Sequence, residues 1–282
     1  MNKKKTVIII GIIVIVLILC LIAGVVFGKP RVTGVKSLAA ANIAAQSRVD
    51  NYHMDGTVKM EIELDSEELQ GILQSWNPKL PVTMKIAADA GTETAHITTD
   101  AAMSIFGQSV ALTNTEVYLD MENGAAYTKA GDAAEWKKTN YQDQQMGLKE
   151  MAGGVSLVGK TVLENAAYEE SDEFYTLTMP AEKAGDLVTD LNLLERVDLG
   201  FADVRDITVE GGEIIYNVDK TTLLVSSIEL QNIDVRGKGT YKGVSVNLKF
   251  PLNAVFRFSR YNELEESEYA IPPEVTAGEQ AK

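Results

Sequence analysis

Cysteine occurs once in 282 residues, at Cys20. Everything beyond it is barred from disulfides, a thiol nucleophile and a thiolate metal site, and must rest on its own apolar core. Histidine occurs twice, at His53 and His96, and neither has a spaced partner. A zinc site needs three or four suitable donors, so both are read as ordinary surface or core histidines and no metal is expected. GxSxG, HExxH and EF-hand patterns are absent from the sequence, and no catalytic residue or cofactor is expected. Basic residues are scarce, 26 against 40 acidic ones, for a net charge of −14. Four of the 26 (Lys3, Lys4, Lys5, Lys29) lie in the first 30 residues, so the remainder holds 22 basic against 40 acidic groups, a net of −18. A body this acidic repels phosphate backbones, which excludes nucleic acid as a partner.

The one long apolar stretch runs from Val7 to Gly28. At 1.5 Å per residue its 22 residues span roughly 30 Å, the thickness of a bilayer core. Lys3, Lys4 and Lys5 precede it, which by the positive-inside tendency keeps the amino end in the cytoplasm and exports the body. The expectation is a single-pass cell-membrane anchor over 1–30, the membrane being contacted through 7–28, with an extracellular domain over 31–276 and a frayed tail over 277–282. A cleaved signal peptide is the rival, but its apolar region is shorter and ends in small residues. Acylation at Cys20 is a second rival. It wants a small residue just before the cysteine, where this chain has Leu17-Ile18-Leu19.

Beyond the anchor, apolar residues alternate with polar ones. Tyr52, Met54, Val58, Met60, Ile62 and Leu64 interleave with His53, Asp55, Thr57, Lys59, Glu61 and Glu63. That period of two marks a strand with one apolar face, as in an antiparallel sheet. Further strands are predicted over 82–86, 94–99, 109–113, 116–121, 125–129, 161–169, 173–179, 223–230, 233–235, 240–250 and 254–259, with another edge starting near Trp136. Asn123-Gly124 and Gly211-Gly212 are predicted hairpin turns, the second joining strands 204–209 and 213–218. Helices are predicted over 35–49, 66–76, 143–151 and 180–197. Two of these carry clear apolar stripes, Leu69, Ile72, Leu73, Trp76 and Ala184, Leu187, Val188, Leu191, Leu194. The fold class implied is α+β: a strongly curved antiparallel sheet, open as a half-barrel, with helices packed on its concave face.

Gly154 to Thr161 matches the phosphate-loop pattern GxxxxGK[ST]. That chemistry needs a buried strand before the loop and a helix after it. Here a polar, helix-like stretch precedes, and 162–168 is predicted as strand, so the match is read as accidental. The acidic clusters at 170–173 and 265–268 lack calcium-loop spacing and are read as solvated turns.

The methionines concentrate in the first-half strands, and Met suits surfaces that adapt to variable apolar guests, though it also simply fills cores. Met54, Met60, Ile62, Trp76, Met84, Met121, Leu187, Leu191 and Phe250 are the candidates to line a cavity between sheet and helices.

Three segments carry a family resemblance: Ser47-Arg48-Val49-Asp50-Asn51-Tyr52-His53-Met54-Asp55-Gly56-Thr57-Val58; Glu213 to Thr222; and Phe258-Ser259-Arg260-Tyr261-Asn262-Glu263 followed by Ala270-Ile271-Pro272-Pro273-Glu274-Val275. Their order over residues 34–276 resembles the LolA/LppX-like lipoprotein carriers, in particular membrane-attached relatives from Gram-positive bacteria. The resemblance implies an open half-barrel whose concave side holds lipid or acyl chains. The expectation is thus a non-enzymatic, membrane-tethered domain that binds a lipid or other apolar ligand. The alternative is a structural protein of the cell envelope with a filled core and a protein partner, whose identity stays open. Cavity volume separates the two.

Overall fold

The computed structural model describes residues 32–65, 79–105, 108–131, 133, 135–140, 162–184, 201–241 and 244–277. The predicted anchor, the helices at 66–76 and 143–151, the phosphate-loop match at 154–161, and Trp76, Leu187 and Leu191 lie outside these residues.

Twelve strands form one sheet. Helix α1 (Val35–Gln46) leads into β1 (Asn51–Asp65), β2 (Lys79–Gly91), β3 (Thr94–Ile105), β4 (Gln108–Asp120), β5 (Ala125–Ala130) and β6 (Lys137–Asn140). Then follow β7 (Ala167–Glu170), β8 (Phe174–Pro180), β9 (Phe201–Glu210), β10 (Glu213–Asp219), β11 (Val225–Tyr241) and β12 (Val244–Ser259). Two short helices close the chain, α2 (Glu266–Tyr269) and α3 (Pro273–Ala277). Spatially the order is β6-β5-β4-β3-β2-β1-β12-β11-β10-β8-β7, with β9 also paired to β11. All pairings are antiparallel.

The class is mainly β with few short helices, and the strongly curved half-barrel is not the form taken: the sheet is open and not strongly curled. Strong coiling requires bulges repeated along many strands. Register shifts occur in the β9–β11, β10–β11, β11–β12 and β3–β4 pairings, but β1 pairs with β2 over 13 consecutive residues, and with β12, without one.

Several predicted boundaries move. The 109–113 and 116–121 strands are one strand, β4, and 223–230, 233–235 and the start of 240–250 merge into β11. The predicted strand over 240–250 therefore straddles the β11–β12 connection at 242–243. The stretch 162–165 is a helical turn rather than strand, so the strand predicted to follow the phosphate-loop match begins only at Ala167. The described part of the 180–197 helix is a 3₁₀ turn, Ala181–Ala184.

The Gly211-Gly212 hairpin is also overturned. β9 and β10 do not pair with each other; both lie along the same edge of β11, in one continuous register (Glu210↔Asp234, Glu213↔Gln231). They form a single line broken at two glycines of positive φ. A hairpin requires the chain to reverse, and here it only steps. At Gly212 a Cβ would sit 2.5 Å from the Gln231 carbonyl oxygen, so only glycine fits.

That break is one end of a crease. Opposite Gly212, Asn232 has φ of 53° and donates its N–H to the Asn253 side chain, not to the ladder. Beside it Pro251, opposite Asp234, has no N–H to donate, and Pro81 stands opposite Glu61. Between β12 and β1 the pairing lapses from Lys249↔Glu63 to Leu252↔Met60 and resumes in the same register. Ladder bonds are thus weakened along a line crossing β10, β11, β12, β1 and β2.

One face of the sheet is apolar. Its core joins Tyr52, Met54 and Val58 of β1, Met84, Ile86 and Ala88 of β2, Ile97 of β3, Val117 of β4, Ile228 of β11 and Phe256 and Phe258 of β12. Helix α1 docks on it through Leu38, and Asn42 donates to the Leu223 carbonyl at 2.7 Å. Gly56 lies directly under the Phe256 ring, which occupies the space a Cβ would need.

Candidate functional site

The nine residues predicted to line a cavity divide. Met54 and Met84 are buried, and Met60 and Met121 are half-buried against the same apolar cluster. Phe250 is buried farther along β12. Ile62 lies in β1, and its side chain is outside the described set.

Alternation places even-numbered residues of β1, β2 and β12 on the inner face, and burial follows: Val246, Leu248, Phe250, Ala254, Phe256 and Phe258 are all buried. Leu252 breaks the series and is half-buried. It has company. Met60 pairs with Leu252 across β1 and β12, and Leu230 pairs with Ile214 across β11 and β10. All four are half-buried and packed against the main core. Most of their neighbours are buried, half-buried Tyr216 beyond Ile214 being an exception. Val82 pairs with Met60 at one end and Met179 with Ile214 at the other. Along the strands, Phe250 and Ile233 lie on one side, and Val58, Ala254 and Ile228 on the other.

The result is two cross-strand pairs of half-buried apolar side chains on the inner face, Met60 with Leu252 and Leu230 with Ile214. They are offset from one another where the β11–β12 register shifts between Leu230 and Ile233. Leu252, Leu230 and Ile214 were not among the predicted residues. The available cue was Pro251, a proline inside an alternating run, which marks a local break in a strand.

The outer face is polar and charged. His53 Nδ1 lies 2.7 Å from Asp89 Oδ1, and its Nε2 lies 3.2 Å from Asp55 Oδ2. Burial alone would lower the imidazole pKa, but the hydrogen bonds and charges of Asp89 and Asp55 outweigh it and raise the pKa above its usual 6.5. His96 bonds Glu116 at 3.0 Å and stacks on Tyr118 with ring centroids 4.4 Å apart. Each imidazole is thus held by a carboxylate on a neighbouring strand, and His53 by a second, Asp55, on its own. Among the described residues no group of three or more His, Cys, Asp or Glu side chains is arranged to hold a metal ion.

Across the crease runs an ion-pair ladder. Lys79 Nζ bridges Glu61 and Glu63 at 2.7 Å each, Lys249 lies between Glu63 and Asp234, and Arg236 joins Asp234 to Glu210. The hydrogen bond from Lys79, followed by the charge of Lys249, holds the Glu63 carboxyl below its usual pKa.

The carboxyl-terminal segment straps the other end of this face. Val275 is buried against Tyr118, Ala125 and Tyr127, with Trp136 and Ile271 at the margin. Asn51 anchors the strap. Its amide donates to the Leu264 carbonyl at 3.4 Å and its side-chain oxygen accepts from the Leu264 N–H at 3.0 Å. Asn262 does the same for the preceding turn, accepting from the Asp50 N–H at 2.6 Å and donating to the Arg48 carbonyl at 2.7 Å.

These features define a class: an open, single-sheet antiparallel domain with one apolar and one charged face, strapped by its own carboxyl-terminal segment. The chain belongs to the DUF6612 family, a family of unknown function, whose model matches residues 35–280. No curated protein matches it. Among solved structures it is similar to a beta-barrel-like protein of a domain of unknown function, DUF1849, from Brucella abortus. That match has 7% identity and a TM-score of 0.22, covering 73% of this chain and 98% of the other.

Proposed function

We propose that this protein is a non-enzymatic, membrane-tethered extracytoplasmic domain that binds a lipid or another apolar ligand on the inner face of its sheet. The observation that carries the reading is the set of half-buried apolar side chains Met60, Leu252, Leu230 and Ile214 on an otherwise largely buried apolar face. Burial of acyl methylenes there supplies about 0.8 kcal/mol per CH₂. The LolA/LppX-like resemblance of the 47–58 and 258–275 segments points the same way. So does the apolar stretch 7–28, which would hold the domain beside the bilayer that supplies the guest.

The test is mass spectrometry of lipid retained by the full-length protein after detergent purification. Stoichiometric lipid is expected, reduced several-fold in Leu252→Lys but not in Asn253→Lys, whose side chain belongs to the opposite face. Equal retention in all three, or none in any, would remove the proposal.

A further inference from the structure

We propose that residues 265–277, the end of the carboxyl-terminal strap, form a pH-sensitive lid on the outer face, held down while His53 carries its proton and loosened when it loses it. This does not depend on the lipid-binding reading. Strand register sets one outer-face row straight across β1 to β5: His53, Asp89, His96, Tyr118 and Tyr127, each opposite the next. The lid bears on this row at two points. The Tyr269 ring of α2 fills the space that a Cβ at Gly91 would need, two residues along β2 from Asp89. Val275 of α3 is buried against Tyr118 and Tyr127. Helices α2 and α3 have four and five residues. Helices that short do not persist alone, so the segment is ordered by its docking.

Charge sets how firmly the lid docks. Residues 265–277 hold four glutamates and no lysine or arginine, so docking brings acid onto an acidic body. Arg260 clasps Glu268 with two hydrogen bonds, Nη1 to Oε1 at 2.8 Å and Nη2 to Oε2 at 2.9 Å. After Arg260 and the Glu265 N–H, the charge of His53 also helps to hold the Glu268 carboxyl below its usual pKa. Around the imidazole stand Asp55 on its own strand, Asp89 on β2 and Arg257 of β12, opposite Asp55. Beyond them are Arg260 in the turn after β12, Glu263 beside it, and Glu268 on the lid. His96, opposite Asp89, is engaged by Glu116 on β4. Four carboxylates thus meet two guanidinium groups. The proton on His53 narrows that excess, and its loss leaves Asp89 and Glu268 repelling one another. Asp89 and Asp55 raise the imidazole pKa despite its burial. The hold is therefore complete below about pH 6.5 and is lost as pH rises through the raised value.

The chain has two tryptophans, and Trp136 lies at the margin of the Val275 contact, so Trp76→Phe makes its fluorescence a reporter of the lid. The experiment measures acrylamide quenching of Trp136 in the full-length Trp76→Phe protein in detergent, from pH 5.5 to 8.5. The quenching constant is expected to rise at least twofold across that range. On the same background His53→Gln should flatten the rise and Asp89→Asn should at least halve it, while His96→Gln should keep it. Val275→Asp, which evicts the lid, should give strong quenching at every pH. Deuterium exchange of amides 266–277, corrected for its intrinsic pH dependence, should follow the same pattern. Thermal melts identify any variant that fails to fold, and of His53→Gln and Asp89→Asn the one that folds carries the comparison. A flat profile in the parent protein, or an equal rise in His53→Gln, overturns the proposal. So does a flat profile in His96→Gln, which would move the switch to the other imidazole. Unchanged quenching in Val275→Asp overturns it as well, since Trp136 would then not be sheltered by the lid.

Discussion

Asn51 uses its side-chain amide as a substitute backbone. Its oxygen and nitrogen pair with both polar groups of Leu264, and all three residues of this junction, Asn51, Asn262 and Leu264, join the start of β1 to the strap after β12. Asn51→Ala leaves a buried N–H and carbonyl unpaired, and should cost about 1–3 kcal/mol in a urea titration. Asn51→Leu, equal in bulk, should recover none of it. The segments 47–58 and 258–275, noted first as sequence motifs far apart in the chain, meet at this contact. The motifs were visible in the sequence, but their meeting depends on β12 returning beside β1, a pairing no local pattern encodes.

His53 belongs to the same scale. Its pKa is raised in the folded protein by Asp89 and Asp55 despite burial. The stabilisation is therefore fully present below the unfolded value near 6.5 and is lost as pH rises through the raised folded value. The melting temperature of the wild type relative to His53→Gln should be higher at pH 5.5 than at pH 8.5. The difference should correspond to a few tenths to about 1 kcal/mol, since the pair is partly exposed. A pH-independent difference would mean that the carboxylates do not stabilise the imidazolium.

At the level of elements, the crease separates what was legible from what was not. Strand identities followed from period-two alternation, and β1 and β12 lie where the alternation places them. Strand partners did not follow. Gly211-Gly212 looks like a hairpin turn, because two glycines between alternating runs allow one. Whether the chain reverses there or steps along one edge depends on β11 being long enough to serve both segments, and its 17 residues are. The half-buried apolar set was half legible: Met60 stands in the strongest alternating run, while Leu252 and Leu230 gain meaning only from the register between strands. The cluster of Gly212, Asn232, Pro251 and Pro81 predicts a local weakness. The amide of Asn232 should exchange with deuterium at least tenfold faster than those of residues 227–229 in the same strand, since its ladder is interrupted on both sides. Gly212→Val should destabilise by more than 2 kcal/mol, because the added atoms meet the Gln231 and Asn232 carbonyls at a positive φ. Uniform protection along β11 would remove the crease as a mechanical feature.

For the whole molecule, location and ligand are tied together. An acidic body of net charge −18 is repelled by an anionic membrane surface and would not dwell there unaided. Binding of a lipid guest, as proposed, would be useful only beside the bilayer, so the apolar stretch 7–28 would supply the proximity that charge opposes. The lysines before it would fix the direction, amino end inside and sheet outside. The scarcity of cysteine makes this directly measurable, since Cys20→Ser gives a chain with no thiol at all. On that background, Asn253→Cys, at an exposed position of β12, should react with a membrane-impermeant maleimide in intact cells. Lys3→Cys should react only after permeabilisation, because the two residues would lie on opposite sides of the bilayer. Release of the Asn253→Cys protein into the medium would indicate cleavage after the apolar stretch and would sever the link between tether and lipid binding. Labelling of Lys3→Cys in intact cells would reverse the orientation and place the apolar face away from the outer leaflet.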